Sequence, residues 1–482
     1  MKNISIALIL IFGSLMIKAQ TTVVNIGLPI TVAPSTFDNV RPRIALTNNN
    51  SPIIMWGKGS NKKIFTARYN GGIFDTPVSQ NPGTLQAFVT DWASAEMASS
   101  GDTVFVVYKS EPALTGGIYL TRSLDGGITF SDTVRVDNID PDISRFANIA
   151  ISPGGNPVVT FMKFEPGWFD PQYSVANSTD GGNTFLTDVV ATSIAPGEAC
   201  DCCPATMAIK DDKQVVLFRN NIGNLRNMWG SLSTDGGQSF TSAGEIDQSN
   251  WNLNTCPSSG PMGFIYGDSM VYTWMSGASG SNRVYFGTVN LNNWQVGINQ
   301  MIAPIAGGSQ NMPRIAGNAD TLAIVWEQIS GMNRIIMMTW SVTGPAGLAI
   351  NIDTIASGMV NLVNPDIAFA NGVFHISYQD DASGTVLYKT ATVTTLTNLN
   401  EINADNSLYI YPNPADNEIH LKYDGEISEL YITDIQGKIV LQFPVRNHNN
   451  SLDISKLITG TYIIHIKNTT GGKTKKKFSI ER

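Results

Sequence analysis

The chain has 482 residues, a formal net charge of −8, and only 15 % charged residues. So sparse and mildly acidic a composition lacks the basic surface of a nucleic-acid binder, while the length leaves room for a large domain and a second, smaller module. Its 44 glycines and many Asn, Thr and Ser residues, without long amphipathic helical patterns, indicate an all-β protein rich in turns.

Met1-Lys2-Asn3, the apolar run Ile4 to Ile17 and Lys18-Ala19-Gln20 read as a secretory signal peptide over 1–19, cleaved after Ala19. No lipobox cysteine follows, and no later stretch reaches about 18 apolar residues. The mature protein is therefore expected to be soluble, exported and without a transmembrane span. Thr22 to Val32 then reads as a strand segment.

From there a unit recurs seven times: a short apolar strand, a tight polar turn, and a second apolar strand ending in an aromatic. The units start at Pro42-Arg43-Ile44-Ala45, Ala95-Glu96-Met97-Ala98, Ala147-Asn148-Ile149-Ala150, Ala205-Thr206-Met207-Ala208, Met262-Gly263-Phe264-Ile265, Pro313-Arg314-Ile315-Ala316 and Pro365-Asp366-Ile367-Ala368. A period near 50 residues accommodates four strands and their connections, which predicts a β-propeller, with seven blades favoured and six the alternative, over residues 20–398. Small residues alternating with apolar ones suit inner strands that converge on an axis. A ring of sheets must also close, and Thr22 to Val32 is expected to add the outer strand of the last blade.

Inside the second, third and fourth units lie Ser123-Leu124-Asp125-Gly126-Gly127-Ile128-Thr129-Phe130, Ser178-Thr179-Asp180-Gly181-Gly182-Asn183-Thr184-Phe185 and Ser233-Thr234-Asp235-Gly236-Gly237-Gln238-Ser239-Phe240. Each reads as a hairpin corner: the Asp caps backbone amides and the glycines supply φ > 0. The pattern Ser-x-Asp-x-Gly-x-x-Phe resembles the Asp-box, or bacterial neuraminidase repeat, of sialidases and many non-catalytic propellers. That resemblance gives Asp125, Asp180 and Asp235 a structural role on the face away from the ligand. The related sialidase catalytic domain has six blades, so seven starts separate this chain from that enzyme.

Ala391 to Asp405 is Thr- and Asn-rich and reads as a connection, with 399–405 the linker proper. Beyond it, over 406–482, short alternating strands predict a small Ig-like β-sandwich. Tyr411-Pro412-Asn413-Pro414, Ile432-Thr433-Asp434-Ile435-Gln436-Gly437-Lys438, Gly460-Thr461-Tyr462 and Lys476-Lys477-Phe478-Ser479-Ile480 resemble the type A C-terminal sorting domain of the Bacteroidota type IX secretion system. That resemblance implies Sec export, passage across the outer membrane to the cell surface or medium, and the secretion machinery as a partner. The cluster Lys473, Lys475, Lys476 and Lys477 reads either as a recognition feature or as a solvated tail.

Function is expected on the face opposite the Asp-boxes, where inner strands begin and second strands turn into third strands. Glu198-Ala199-Cys200-Asp201-Cys202-Cys203-Pro204 precedes the fourth inner strand and Cys256 the fifth, so all four cysteines converge. In an exported chain Cys200, Cys202, Cys203 and Cys256 read as disulfides, with three possible connectivities. A thiolate site for Cu or Zn is the alternative, although Cys-x-Cys-Cys departs from the usual Cys-x-x-Cys knuckle. Otherwise no cofactor or metal is expected.

Arg43, Trp92, Arg145, Trp168, Arg219, Arg226 and Trp251 fall on the same face. Aromatic platforms beside Arg and amides suit a glycan, since rings stack on sugar faces and polar groups read hydroxyls; the same aromatics also serve as packing anchors. Glu111, Glu165, Asp170 and Glu198 are the carboxylates from which a glycosidase pair would be drawn. Of the sialidase arginines, Arg43 only faintly matches, lacking the family's following proline. Three of the four histidines, His420, His448 and His465, lie in the C-terminal module and only His375 in the propeller, which argues against a Ser-His-Asp hydrolase or a multi-His metal centre. The reading favours a binding protein for an extracellular glycan, glycoprotein or other protein ligand. A sialidase-like exo-glycosidase is the alternative, and a structural or adhesive surface protein the third.

Overall fold

The computed structural model describes residues 21–34, 38–81, 85–303, 308–358, 361–396, 408–423, 425–444, 451–469 and 473–482. The expected signal peptide 1–19 and linker 399–405 lie outside the described residues. Contacts divide the chain into a unit spanning Val23–Thr394 and a second unit that holds the C-terminal strands.

The larger unit is a seven-bladed β-propeller. Its inner strands are Asn39–Leu46, Glu96–Ser100, Ile143–Ile151, Thr206–Lys210, Met262–Tyr266, Gln310–Gly317 and Leu362–Ala370, and each opens a separate antiparallel sheet. Consecutive inner strands touch one another around the ring, and the seventh touches the first.

The register is the same in every blade. Arg43, Glu96, Asn148, Thr206, Met262, Arg314 and Asp366 stand opposite Met55, Val107, Thr160, Leu217, Thr273, Val325 and Ser377 of the second strands. The residue after each of those partners is aromatic: Trp56, Tyr108, Phe161, Phe218, Trp274, Trp326 and Tyr378, none more than 2 % exposed. Each ring packs in a cluster shared with the preceding blade, as Trp326 does with Val271 and Tyr108 with Met55. Burying such a side chain contributes about 1.5–3 kcal/mol, so the repeated aromatic holds sheet to sheet. This register moves the start of the fifth unit one residue earlier than the sequence pattern suggested, because Met262 and not Gly263 is the counterpart of Arg43.

Ring closure follows the expectation. Thr21–Ile26 and Ile30–Ala33 both pair with Thr385–Leu396, the third strand of the seventh sheet. That pairing also corrects the reading of Ala391 onward as a connection: the strand runs through Leu396 because it has partners on both edges.

Each Ser-x-Asp-x-Gly-x-x-Phe corner turns the third strand of its blade into the fourth. Asp125 Oδ1 accepts the N–H groups of Ile128 and Thr129 at 3.0 and 2.9 Å, and its Oδ2 accepts the Thr129 hydroxyl at 2.6 Å. Asp180 repeats this on Asn183 and Thr184, and Asp235 caps the Ser239 N–H and hydroxyl. These bonds hold the Asp180 and Asp235 carboxyls down to about 2. Gly127 is positioned for closeness: at φ 90° a Cβ there would stand 2.3 Å from Ile53 Cδ1 of the preceding blade. The Gly126 N–H donates to Asp102 O in the turn after the inner strand, so the corners and those turns share one face.

The C-terminal unit is a two-sheet sandwich. Leu408–Tyr411, Glu418–Tyr423 and Ser451–Asp453 form one sheet; Ile439–Phe443, Ile427–Asp434, Gly460–Asn468 and Lys473–Ile480 form the other. Alternating residues such as Ile419, Leu421, Ile432, Ile464, Ile466 and Phe478 fill the core between them. Lys475, Lys476 and Lys477 are exposed.

Candidate ligand-binding site

Four inner strands carry a β-bulge at the same place, at Val40/Arg43, Arg145/Asn148, Asn311/Arg314 and Val363/Asp366. Each places one residue in the left-handed region: Arg41 at φ 55°, Phe146 at 52°, Met312 at 49° and Asn364 at 52°. In three of them a proline follows, which suits a bulge because it has no N–H to leave unpaired. The bulge re-aims the chain, so the residue after it opens the inner strand beside the axis.

The four residues after these bulges and their counterparts Glu96, Thr206 and Met262 carry contacts between blades. Arg43 Nε donates to Glu96 Oε2 at 2.9 Å, Asn148 Oδ1 accepts Met207 N–H at 3.1 Å, and the Thr206 hydroxyl donates to Pro261 O at 2.8 Å. Arg314 lies 3.6 Å from Met262 Sδ and 3.8 Å from Asp366 Oδ1, and Asp366 Oδ2 accepts the Ile44 N–H at 3.0 Å. Glu96 also receives Arg41 Nη2 at 2.9 Å and Arg314 Nη2 at 3.3 Å. Burial works to raise the Glu96 pKa, but Arg43, Arg314 and Arg41 together hold it well below the usual carboxylate range.

All seven blades line the axial cavity at this level, which has a volume of about 40 Å³. That is room for roughly three water-sized groups. Three guanidiniums against two carboxylates leave one positive charge in excess. Arg41 Nε, Ser94 Oγ and Ser259 Oγ, all on residues that line the cavity, have no hydrogen-bond partner among the described residues.

Beside the axis, between the second and third blades, the Arg145 guanidinium is enclosed by four rings. Its Cζ lies 4.7 Å from the centroid of Phe146, 5.2 Å from Trp92, 5.4 Å from Trp168 and 5.9 Å from Phe88. The rings brace each other edge to face, Trp92 on Phe88 and on Phe146, and Trp168 on Phe164. Burial lowers the Arg145 pKa, opposed by the charge of Asp201. Trp168 is 36 % exposed and Phe169 67 %. Trp168 holds its ring there from a left-handed backbone, φ 69°, in the loop joining Pro157–Glu165 to Phe169–Asn177. A bulky residue at positive φ costs on the order of 1 kcal/mol, which surrounding structure must supply.

The expected ligand residues thus separate into groups. Trp92, Arg145 and Trp168 come together at the cage, and Arg43 lines the axis. Arg219, Arg226 and Trp251 form a buried cluster instead. The Arg219 guanidinium lies 5.2 Å from the Trp251 ring and donates to the carbonyls of Ser259, Arg226 and Met275. Arg226 Nε donates to Leu253 O at 3.1 Å and its Nη1 to Cys200 Sγ at 3.1 Å. The two guanidiniums are bonded into the fold and the Trp251 side chain is buried, which corrects their placement at a ligand surface.

None of the carboxylates proposed for glycosidase chemistry is buried, and they are spread over three blades. Glu111 lines an open cleft with Lys62, Gln86 and Pro112. Glu165 and Asp170 flank the Trp168 loop, where Asp170 accepts Gln172 Nε2 at 2.8 Å. Glu198 is exposed on the short strand Glu198–Ala199.

Of the cysteines, Cys202 and Cys256 form a disulfide that joins the entrances of the fourth and fifth blades. Cys200 and Cys203 remain buried thiols, with Sγ atoms 3.4 Å apart. This corrects the expectation of full pairing. The hydrogen bond with Cys203, followed by the charge of Arg226, brings the Cys200 thiol down to about 6 against its burial, while burial raises that of Cys203.

Sequence reasoning missed Glu96, Arg41 and Asp366 as members of one site. The signal was the repeat itself: the second position of each unit, with the fifth unit moved one residue earlier, gives Arg43, Glu96, Asn148, Thr206, Met262, Arg314 and Asp366 as a column, and Arg41 lies two residues before it.

Residues 409–481 match the family model of the secretion system C-terminal sorting domain. The chain is accordingly exported by the type IX route to the cell surface or medium. No curated protein matches it. Among solved structures, similar folds include a protein of unknown function from Dyadobacter fermentans DSM 18053, at 10 % identity, TM-score 0.47, covering 77 % of this chain and 99 % of that one. A polysaccharide lyase described as an ulvan lyase gives 10 % identity and TM-score 0.49 over 78 % of this chain and 98 % of its own. Trypanosoma rangeli sialidase gives 12 % and 0.41 over 74 % and 55 %.

Proposed function

We propose that the exported propeller binds an acidic extracellular glycan on the face where its inner strands begin. The observation that carries this reading is the aromatic enclosure of Arg145, with Trp168 and Phe169 exposed beside it. A ring face stacks on the C–H face of a pyranose, and a guanidinium pairs with a carboxylate or sulfate in a planar, bidentate manner. No hydrogen bond within the described residues occupies the Arg145 side chain. The excess positive charge at the axis adds attraction for an anionic ligand.

Binding is favoured over hydrolysis because the buried axial carboxylate Glu96 is saturated by three arginines and held ionised, the opposite of what a general acid requires. The Ser-x-Asp-x-Gly-x-x-Phe corners support an Asp-box origin for the propeller without implying its chemistry. Calorimetric titration with uronate-bearing, sulfated and neutral polysaccharides, with reducing-end release followed in parallel, tests the reading. Binding of acidic chains without turnover is the expected result; binding of neutral chains only, or turnover, would overturn it.

A further inference from the structure

The cysteine cluster has a feature that disulfides leave unexplained. Arg219 is fully buried and Arg226 7 % exposed, and among the described residues neither forms an ion pair with a carboxylate. Asp247, the acid whose charge Arg219 feels, is beyond ion-pair distance. Buried cations without a counter-ion are costly. Arg226 points directly at sulfur, with Nη1 3.1 Å from Cys200 Sγ.

The sulfurs themselves are arranged as a ligand set. Cys200, Cys202 and Cys203 form a triangle with Sγ separations of 3.4, 3.6 and 3.9 Å. Three thiolates around a trigonal metal at bond lengths of about 2.3 Å stand about 4.0 Å apart, so the triangle needs to widen by only a few tenths of an ångström. Cys256 is not part of it: its sulfur groups only with Cys202 and Asp201. Three thiolates with no fourth His, Cys, Asp or Glu ligand grouped with them among the described residues suit a soft, low-coordinate cation, and thiolate donors favour Cu(I). One Cu(I) with three thiolates carries two negative charges, which match Arg219 and Arg226.

We propose that Cys200, Cys202 and Cys203 form a trigonal thiolate site for one Cu(I) ion, and that the Cys202–Cys256 disulfide is its closed, metal-free form. Opening requires a dithiol: its two thiol groups supply two electrons and two protons to the disulfide, giving Cys202 and Cys256 thiols and a cyclic disulfide. Binding of Cu(I) then displaces one proton from each of Cys200, Cys202 and Cys203 to solvent, and Cys256 remains a thiol. Loss of two electrons from Cys202 and Cys256 to a disulfide acceptor reverses the sequence and releases the ion.

The test is anaerobic titration of the full chain with Cu(I) against a chromogenic Cu(I) chelator, with X-ray absorption to count sulfur neighbours. Dithiol-reduced protein should retain one equivalent with three sulfurs. The C256S variant, purified anaerobically, should do so without a reducing step, because Cys202 is then never sequestered. C200S and C203S should each weaken retention at least tenfold, and the disulfide-bonded protein should retain less than either reduced form. Circular dichroism distinguishes loss of ligand from loss of fold. Failure of both the reduced protein and C256S to retain the ion, or undiminished retention in the C200S/C203S double variant, would overturn the proposal, as would equal retention of Zn2+.

Discussion

Arg314, on the sixth blade, reaches across the propeller axis to Glu96 on the second, with Nη2 3.3 Å from Oε1. Arg41 and Arg43 of the first blade meet the same carboxylate, so one anion ties together three blades that are not all neighbours in the ring. Removing it leaves buried Arg41 and Arg43 without their ion-pair partner and Arg314 with Asp366 alone. Glu96→Gln should therefore cost about 3–5 kcal/mol, read as a lower midpoint in urea unfolding. A loss below 1 kcal/mol would show that the axis tolerates the unpaired charge.

The Ser-x-Asp-x-Gly-x-x-Phe corners lie on the opposite face, so they should affect stability without affecting binding. Asp125→Ala removes the acceptor of two N–H groups and two hydroxyls, those of Ser123 and Thr129, and should cost about 1–2 kcal/mol. Gly127→Ala should cost at least as much, because its Cβ meets Ile53. Parallel unfolding and glycan-binding measurements check both; weakened binding in Asp125→Ala would contradict the assignment of faces.

Ring closure by the N-terminal strands makes a separate prediction. Deleting residues 21–33 removes two partners of Thr385–Leu396 and exposes its edge. The melting temperature should fall, measured by scanning calorimetry. An unchanged value would mean that the ring closes without them.

His375 gives the propeller a pH dependence. It is buried beside Tyr388, with Nδ1 2.7 Å from the hydroxyl, and burial lowers its pKa to about 4. The unfolded chain, with a pKa near about 6.5, binds the proton first on acidification. Stability should thus fall as the pH drops from about 6.5 to about 4, by up to about 1.4 kcal/mol per pH unit, and level off from this cause below that. His375→Gln should flatten that window in urea unfolding at stepped pH.

Much of the architecture was legible in the sequence because the repeat is carried by backbone requirements. The paired glycines of the three Ser-x-Asp-x-Gly-x-x-Phe stretches mark corners that need φ > 0, and the aromatic ending each second strand marks a packing position between sheets. Asp125, Asp180 and Asp235 could be read as caps because all their partners lie within four residues. The site was less legible because its partners are far apart along the chain. Arg314 and Glu96 are separated by 218 residues, and nothing local signals that they meet. Arg219 and Trp251 resembled ligand residues by type and position, but the fold uses them as buried supports of the cysteine segment. The fifth blade shows another limit: with Met262 where its neighbours place polar residues, the pattern slipped by one.

Arg145 within its four rings is the centre of the functional account, and its charge is what separates recognition of an acidic glycan from simple packing. The direct measurement is the affinity of wild-type, Arg145→Gln and Trp168→Ala proteins for a uronate polysaccharide, by calorimetry at low and high salt, with unfolding midpoints alongside. The account predicts that each substitution weakens binding at least tenfold, that Arg145→Gln also reduces the salt dependence, and that both proteins remain folded. Unchanged affinity in both variants, with the fold intact, would contradict it.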